Sequence, residues 1–165
     1  MSSNSELELS VTRFIDAPPQ AVYRVYTERT AEWWVPKPWT TPAVEWDLRT
    51  GGRMYTEMRG PDGEGEGGEG VFLEVVPNER IVWTNAFKPG WQPQVQTNDG
   101  CDFAMVAIVT FDREGAGTRY TARVHHWDPE AVKKHREMGF EQGWGMVAAQ
   151  LAELAEAEAG KRAAA

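Results

Sequence analysis

The stretch TRYTARVHHWDPEAVKKHREMGFEQGWGMVAAQLAELAEAEA, residues 118–159, decides the fold, because a strand pattern in it leads directly into a long helical pattern. Asp128 before Pro129 is a typical helix start. The pattern predicts one helix from there to about Ala159, ended by Gly160. Apolar residues recur along it at helical spacing, so one face of this helix is expected to pack on a sheet. These residues are Phe140, Trp144, Val147, Leu151 and Leu154.

Six further strand patterns precede this stretch, and turn residues separate them. They cover about residues 7–12, 44–48, 53–59, 71–76, 81–87 and 103–113, with a glycine-rich hairpin loop at 60–70. Arg13 falls in the apolar register of the first strand, which leaves its direction open. Pro18 and Pro19 start a short helix, and a second short helix is predicted within residues 31–39. Helices segregated from antiparallel strands predict an α+β fold, in which a curved sheet of about seven strands surrounds the long C-terminal helix.

The length and the charge limit the classes of function. A chain of 165 residues is expected to form one domain, 1–165, with its core at about 7–157. The 17 Lys and Arg against 25 Asp and Glu, a net charge of -8, argue against a nucleic-acid partner. Cys101 is the single cysteine, so no intrachain disulfide can form. The chain has no signal-peptide pattern and no long apolar run, so a soluble, cytoplasmic protein without a membrane partner is predicted.

A curved sheet around a helix often leaves an apolar hollow, and the tryptophans indicate where it lies. Trp33 and Trp34 differ by about 100° on a helix, so both cannot point into one core. Their segment either forms the rim of a pocket or plugs one end of the sheet. Gly139, Gly143 and Gly145 each cost about 1 kcal/mol of helix propensity relative to Ala. Either another backbone approaches them closely, which we favour, or they leave space for a ligand.

The histidines and the longest loop leave further alternatives open. His125 and His126 are neighbours on a strand and point to opposite faces, so they cannot readily share a metal, and neither a metal site nor a cofactor is expected. His126 is either an acid-base group in the hollow or a core histidine with its hydrogen bonds satisfied, depending on its direction. The loop from Lys88 to Asp102 is either an ordered lid or a disordered segment.

A family resemblance follows from a series of motifs spread over nearly the whole chain. They are Asp16-Ala17-Pro18-Pro19, Trp33-Trp34-Val35-Pro36, Asp47-Leu48-Arg49-Thr50-Gly51-Gly52, Pro77-Asn78-Glu79-Arg80, Gly117-Thr118-Arg119 and Gly143-Trp144-Gly145. In order and spacing the chain resembles the heat-shock-protein-ninety ATPase activator homologue family, within the START-related, polyketide-cyclase-like (SRPBCC) superfamily. The resemblance implies the helix-grip fold. It implies no reaction and no catalytic residue, because the superfamily includes ligand binders, cyclases and co-chaperone domains. Asn85 stands where members often have Trp.

The expected function is the binding of a small hydrophobic or aromatic ligand between the sheet and the C-terminal helix. Aromatic side chains should line this site, with Trp39 and Trp91 near its mouth. The predicted ligand-binding residues are Trp34, Trp39, Trp46, Trp83, Trp91, Tyr120, His126, Phe140 and Trp144.

Two other functions are also compatible with the sequence. One is a cyclase- or hydratase-like enzyme, with His126 as acid-base group and Asn85 polarising a carbonyl. The other is a co-chaperone-like protein-interaction module, although a chaperone partner is not favoured. A homodimer is possible.

Overall fold

The computed structural model describes residues 4–97 and 102–164 and contains nine strands and three α-helices in those ranges. Two 3-10 helices, Asn4–Leu7 and Thr30–Glu32, complete the regular structure there. The α-helices are α1 (Pro19–Glu28), α2 (Pro129–Glu137) and α3 (Phe140–Ala164). The strands are β1 (Glu8–Ile15), β2 (Val44–Trp46), β3 (Arg53–Arg59), β4 (Gly65–Val76), β5 (Arg80–Thr84), β6 (Phe87–Lys88), β7 (Gln92–Pro93), β8 (Met105–Glu114) and β9 (Gly117–His126).

Seven of these strands form one antiparallel sheet in the order β1-β9-β8-β5-β4-β3-β2, and β6 pairs with β7 in a separate small hairpin. The sheet closes onto α1 and α3, which pack together. The prediction of an α+β helix-grip fold with about seven strands is therefore confirmed. β1 is an edge strand, and Arg13 pairs in register with Tyr120 yet leaves its side chain exposed.

The C-terminal helix differs from the prediction, because the single helix expected there is two. The side chain of Asp128 caps α2 by accepting from the Ala131 N–H at 2.8 Å, as its position before Pro129 suggests. Gly139 has a φ of +89°, a backbone conformation that ends α2 and lets α3 begin in a new direction. Gly160 does not end α3, which continues to Ala164.

The glycine-rich segment also differs from the prediction, since most of it is strand. β4 begins at Gly65, so the hairpin loop is shorter than the predicted 60–70. A Cβ at Gly70 would lie 2.1 Å from the carbonyl oxygen of Thr84 on β5, and one at Gly67 would touch the Tyr55 ring on β3. The glycines therefore allow close approach of neighbouring groups. The predicted second short helix is also wrong in extent: only the 3-10 turn Thr30–Glu32 forms within 31–39.

The core lies between the concave face of the sheet and the helices. Its largest fully buried side chains come from both layers, as the predicted apolar faces require. They include Tyr26, Phe72, Phe140, Ile15, Ile81 and Leu151.

In the described ranges, no helix combines the length and the hydropathy needed to cross a membrane.

Candidate functional site

A cavity of about 420 Å³ lies between the sheet and the region where α2 meets α3, and its lining is mostly aromatic and sulfur-containing. That volume falls in the usual range of small-molecule sites. Among the described residues its lining includes two carboxylates, Glu66 and Glu69, and no Lys or Arg. The aromatic lining residues are Tyr26, Trp33, Trp34, Trp83, Tyr120, Phe140 and Trp144, joined by Met54, Met58, Met105 and Met138.

The segment after α1 forms one wall of this cavity through its tryptophan pair. Trp33 is buried, packs on Tyr26 with ring centroids 4.5 Å apart, and donates from Nε1 to the Val25 carbonyl. Trp34 is only half-buried and packs against the Trp83 ring, with centroids 6.1 Å apart. As expected, only one of the two neighbours, Trp33, is fully buried in the core, although both line the cavity.

A glutamine of α3 holds this wall in place. Gln150 donates from Nε2 to the carbonyl oxygens of Trp33 and Val35 at 3.1 and 2.8 Å. Its Oε1 accepts from the Lys37 N–H at 3.0 Å. An irregular segment needs such partners for its backbone groups, and here one side chain supplies three of them.

The glycines of α3 leave open space. A Cβ built on Gly143 or Gly145 meets nothing within 4 Å. Gly139 and Gly143 line the cavity, whereas Gly145 does not. Close packing, which we favoured from sequence, is therefore wrong for Gly143 and Gly145, and the missing side chain of Gly143 adds to the cavity volume.

One buried polar group among the aromatic rings makes no hydrogen bond to the described residues. The Trp83 indole N–H has no partner among them within hydrogen-bonding geometry, although it lies close enough to the Tyr26 hydroxyl to oppose in part the rise that burial causes in the pKa of Tyr26. Burial is the dominant cause that raises the pKa of Tyr26, and it also raises the pKa of Tyr120. Both phenols are consequently neutral near pH 7, and each can donate or accept.

Two histidines form a buried chain beside the cavity. His126 Nδ1 lies 3.0 Å from the Leu7 carbonyl oxygen, and His126 Nε2 lies 2.9 Å from His135 Nδ1. Burial lowers the pKa of His126, and burial together with His126 lowers the pKa of His135 to about 4. His135 lines the cavity, whereas His126 does not.

The predicted acid-base pair is not present in this geometry. His126 points inward, but both of its ring nitrogens are already hydrogen-bonded, which corrects its assignment as an acid-base or ligand-contacting group. Asn85 lines the cavity, yet its Nδ2 donates to the Phe103 carbonyl and its Oδ1 accepts from the Met105 N–H, both at 2.9 Å. The Asn85 amide therefore extends the pairing of β5 with β8, a role in the sheet rather than the acid-base partnership with His126 that was predicted.

The remaining predicted site residues divide into two groups. Trp34, Trp83, Tyr120, Phe140 and Trp144 line the cavity, and Trp39, Trp46 and Trp91 do not.

Each of the three tryptophans outside the lining has a different surrounding. Trp46 packs against Trp34, which lines the cavity, and its Nε1 donates to Thr56 Oγ1 at 3.0 Å. Trp39 is partly exposed beside Gly60. Trp91 is half-exposed and packs on Phe87 of the β6–β7 hairpin. The placement of Trp39 and Trp91 at the mouth of the cavity is corrected accordingly.

Sequence reasoning missed His135. Ala131, Val132 and His135 form the buried face of α2, a helical spacing that could have placed this histidine toward the sheet. The single predicted helix hides this spacing, because its apolar face is defined by Phe140 and the residues after it, and His135 lies before the break between α2 and α3.

The described part of the predicted lid is tied to the sheet. Gln94 Nε2 donates to the carbonyl oxygens of Glu69, Asn85 and Phe87 at 2.7–3.2 Å. Residues 98–101 of this loop, including Cys101, lie outside the described residues. Within the described ranges, no group of three or more His, Cys, Asp or Glu could hold a metal ion.

Comparisons with known proteins agree with this architecture. Residues 16–156 match the family model described as Activator of Hsp90 ATPase homolog 1-like protein. A crystal structure of a Nitrosomonas europaea protein is 38% identical, with a TM-score of 0.86 over 94% of this chain and 98% of that one. One from Chromobacterium violaceum is 25% identical, with a TM-score of 0.69 over 91% and 97%. The AHSA1 protein of Silicibacter pomeroyi, 17% identical over 88% and 95%, shares the fold at a TM-score of 0.64. No curated protein matches the chain.

Proposed function

The chain belongs to the Activator of Hsp90 ATPase homolog 1-like protein family, and from this premise we propose that it binds a small hydrophobic or aromatic molecule between the sheet and the C-terminal helices. Membership brings a fold that serves ligand binding in general and names no ligand. The proposal therefore depends on the cavity of this chain.

The aromatic lining is the observation that carries the proposal. Rings from α1, the segment after it, the sheet and α3 converge on one space of about 420 Å³. Phe140 and Trp144 lie 5.1 Å apart on the helix side, and Trp34 and Trp83 lie 6.1 Å apart on the other. The two rings of each pair are in contact, so the pairs present aromatic surfaces to the cavity, and such surfaces favour a flat apolar molecule through area burial and ring contacts.

The charges at the cavity narrow the ligand class. Glu69 is paired with Arg53, whose Nε donates to Glu69 Oε1 at 3.0 Å, and Glu66 is exposed at the edge of the cavity. Among the described lining residues there is no Lys or Arg, and His135, whose pKa burial lowers to about 4, is neutral near pH 7, so no cation compensates a ligand carboxylate or phosphate. An anion would lose its hydration without gaining a cationic partner, and the two carboxylates are paired or exposed, so we expect an uncharged ligand.

The test is a calorimetric titration with 2-methoxynaphthalene, a neutral two-ring probe, of the wild type and of Gly143→Leu. The leucine side chain would extend from an open position into the cavity, so we expect saturable binding to the wild type and binding at least tenfold weaker in the variant. Gly145→Leu is the matched control, because Gly145 lies in the same helix and outside the lining. It should bind as the wild type does. Absence of saturable binding to the wild type, or equal affinity in Gly143→Leu, would contradict the proposal.

A further inference from the structure

The chain of hydrogen bonds through the two buried histidines determines which nitrogens carry protons. A carbonyl oxygen can only accept, so the contact of 3.0 Å between His126 Nδ1 and the Leu7 oxygen requires a proton on that nitrogen. Nε2 of a neutral imidazole with Nδ1 protonated has a lone pair and accepts. His126 therefore presents an acceptor to its next neighbour.

His135 is oriented by that acceptor. Its Nδ1 lies 2.9 Å from His126 Nε2 and must donate to it, which places the single proton of a neutral His135 on Nδ1. His135 Nε2 then has a lone pair and no proton. The Leu7 carbonyl thus sets the tautomer of a side chain that lines the cavity, through one intervening ring.

The surroundings of His135 keep it in the neutral state and leave Nε2 unoccupied. Its ring packs between Phe103, Phe140 and Trp144, with centroids 4.8–6.1 Å away. The residue is 6% exposed and its Nδ1 makes the hydrogen bond to His126, which leaves Nε2 as the ring nitrogen available to the cavity that this side chain lines. Burial beside His126 disfavours protonation. An acceptor at the wall of an apolar cavity gains a hydrogen bond from a ligand that supplies a donor.

We propose that His135 Nε2 is a fixed hydrogen-bond acceptor of the ligand site, and that the ligand is an uncharged aromatic molecule with a hydroxyl or N–H group that donates to it. This inference rests on the proposed function and narrows its ligand class. A ligand hydroxyl can donate to His135 Nε2. An ether oxygen in the same place can only accept, and because Nε2 carries no proton it cannot donate to that oxygen, so an ether forms no hydrogen bond there. His126 is a positioning residue, since it acts on the ligand through His135.

The experiment compares 2-naphthol with 2-methoxynaphthalene, which differ in the donor, by calorimetry at pH 7.5. The measured quantity is the ratio of the affinity for 2-naphthol to the affinity for 2-methoxynaphthalene. This ratio should be about tenfold lower in His135→Phe than in the wild type, because the phenyl ring retains the packing and removes the acceptor. His125→Phe is the control: His125 lies on the opposite face of β9, next to Glu8, and its substitution should leave the ratio unchanged. A ratio that changes less than about threefold in His135→Phe would overturn the inference.

The outcomes separate this inference from the proposed function. If neither probe binds to the wild type, the proposed function fails and the inference falls with it. If 2-methoxynaphthalene binds and the ratio is insensitive to His135→Phe, only the inference is overturned.

A second measurement on the wild type does not depend on how the variants fold. Nitrogen-15 spectra of the imidazoles at pH 7.5 should show both His126 and His135 protonated on Nδ1 and unprotonated on Nε2. The measurement tests the premise of the proposal, because His135 Nε2 can accept from a ligand only if it carries no proton. A proton on His135 Nε2 would contradict the proposal.

Discussion

At the scale of single residues, Asn85 shows how a polar side chain in a ligand cavity can serve the fold. It follows the last residue of β5 and faces the start of β8, where regular pairing ends. Its amide makes the two hydrogen bonds that a paired backbone would make, to Phe103 and Met105. Its position in the lining and its role in the sheet are therefore separate properties.

Asn85→Ala should lower the free energy of unfolding by about 1–2 kcal/mol, because it leaves the Phe103 carbonyl and the Met105 N–H without these partners. Urea denaturation monitored by tryptophan fluorescence measures the change. Val95→Ala, at a side chain that is 90% exposed, is the control and should shift stability by less than about 0.5 kcal/mol. Equal stability of Asn85→Ala and the wild type would show that these hydrogen bonds contribute nothing.

At the scale of elements, the break between α2 and α3 shapes the cavity. It turns the chain after Met138, so that Phe140 and Trp144 face the sheet from α3 while His135 faces it from α2. One continuous helix would carry these three side chains on a single axis. The cavity therefore depends on the conformation of one residue, Gly139.

Gly139→Ala should destabilise the protein by about 1–2 kcal/mol, since a φ of +89° is strained for any residue with a Cβ. Gly145→Ala should have the opposite effect and stabilise by about 0.5–1 kcal/mol, because its position is helical and open. Thermal unfolding followed by circular dichroism compares the two. Stabilisation by Gly139→Ala would mean that α2 and α3 can join without cost.

At the scale of the whole molecule, the histidine pair links three separate parts of the chain. His126 ends β9, His135 belongs to α2, and Leu7 immediately precedes β1. The charged neighbours that affect the pKa of His126 are His125, which lowers it, and Asp128, which raises it less than burial lowers it. Both histidines are thus held neutral in the folded state.

This pair should make stability depend on pH in mildly acidic solution. The pKa of His135 is about 4 in the folded protein against 6.5 when unfolded, so the unfolded chain binds more protons between these values. The contribution of neutral His135 to the free energy of unfolding is complete above pH 6.5. It is lost as the pH falls toward 4, at up to about 1.4 kcal/mol per pH unit. Urea denaturation across this window should show a shallower slope for His135→Phe than for the wild type or His125→Phe. Equal slopes of stability against pH for His135→Phe and the wild type would contradict the assignment of this pH dependence to His135.

Much of the fold was predictable because its signals are local. The helix start at Asp128, the apolar face of Phe140 and Leu151, and the alternation within the strands each depend on neighbours in sequence. Four of the five predicted aromatic side chains that line the cavity do so for the same reason: once a strand or helix is placed, its periodicity determines which side chains face inward. The fifth, Trp34, lies in the irregular segment after the 3-10 turn.

The sequence by itself determined the α+β helix-grip architecture, the inward face of the C-terminal segment and the family. Only the tertiary structure decided that Gly139 separates two helices, that Gly67 and Gly70 lie in a strand, and that His126 pairs with His135. These features depend on groups that meet through space: the Thr84 carbonyl beside Gly70, and an imidazole nitrogen from each of two elements. Local propensity cannot register such contacts, because their free energy appears only when distant segments are packed together.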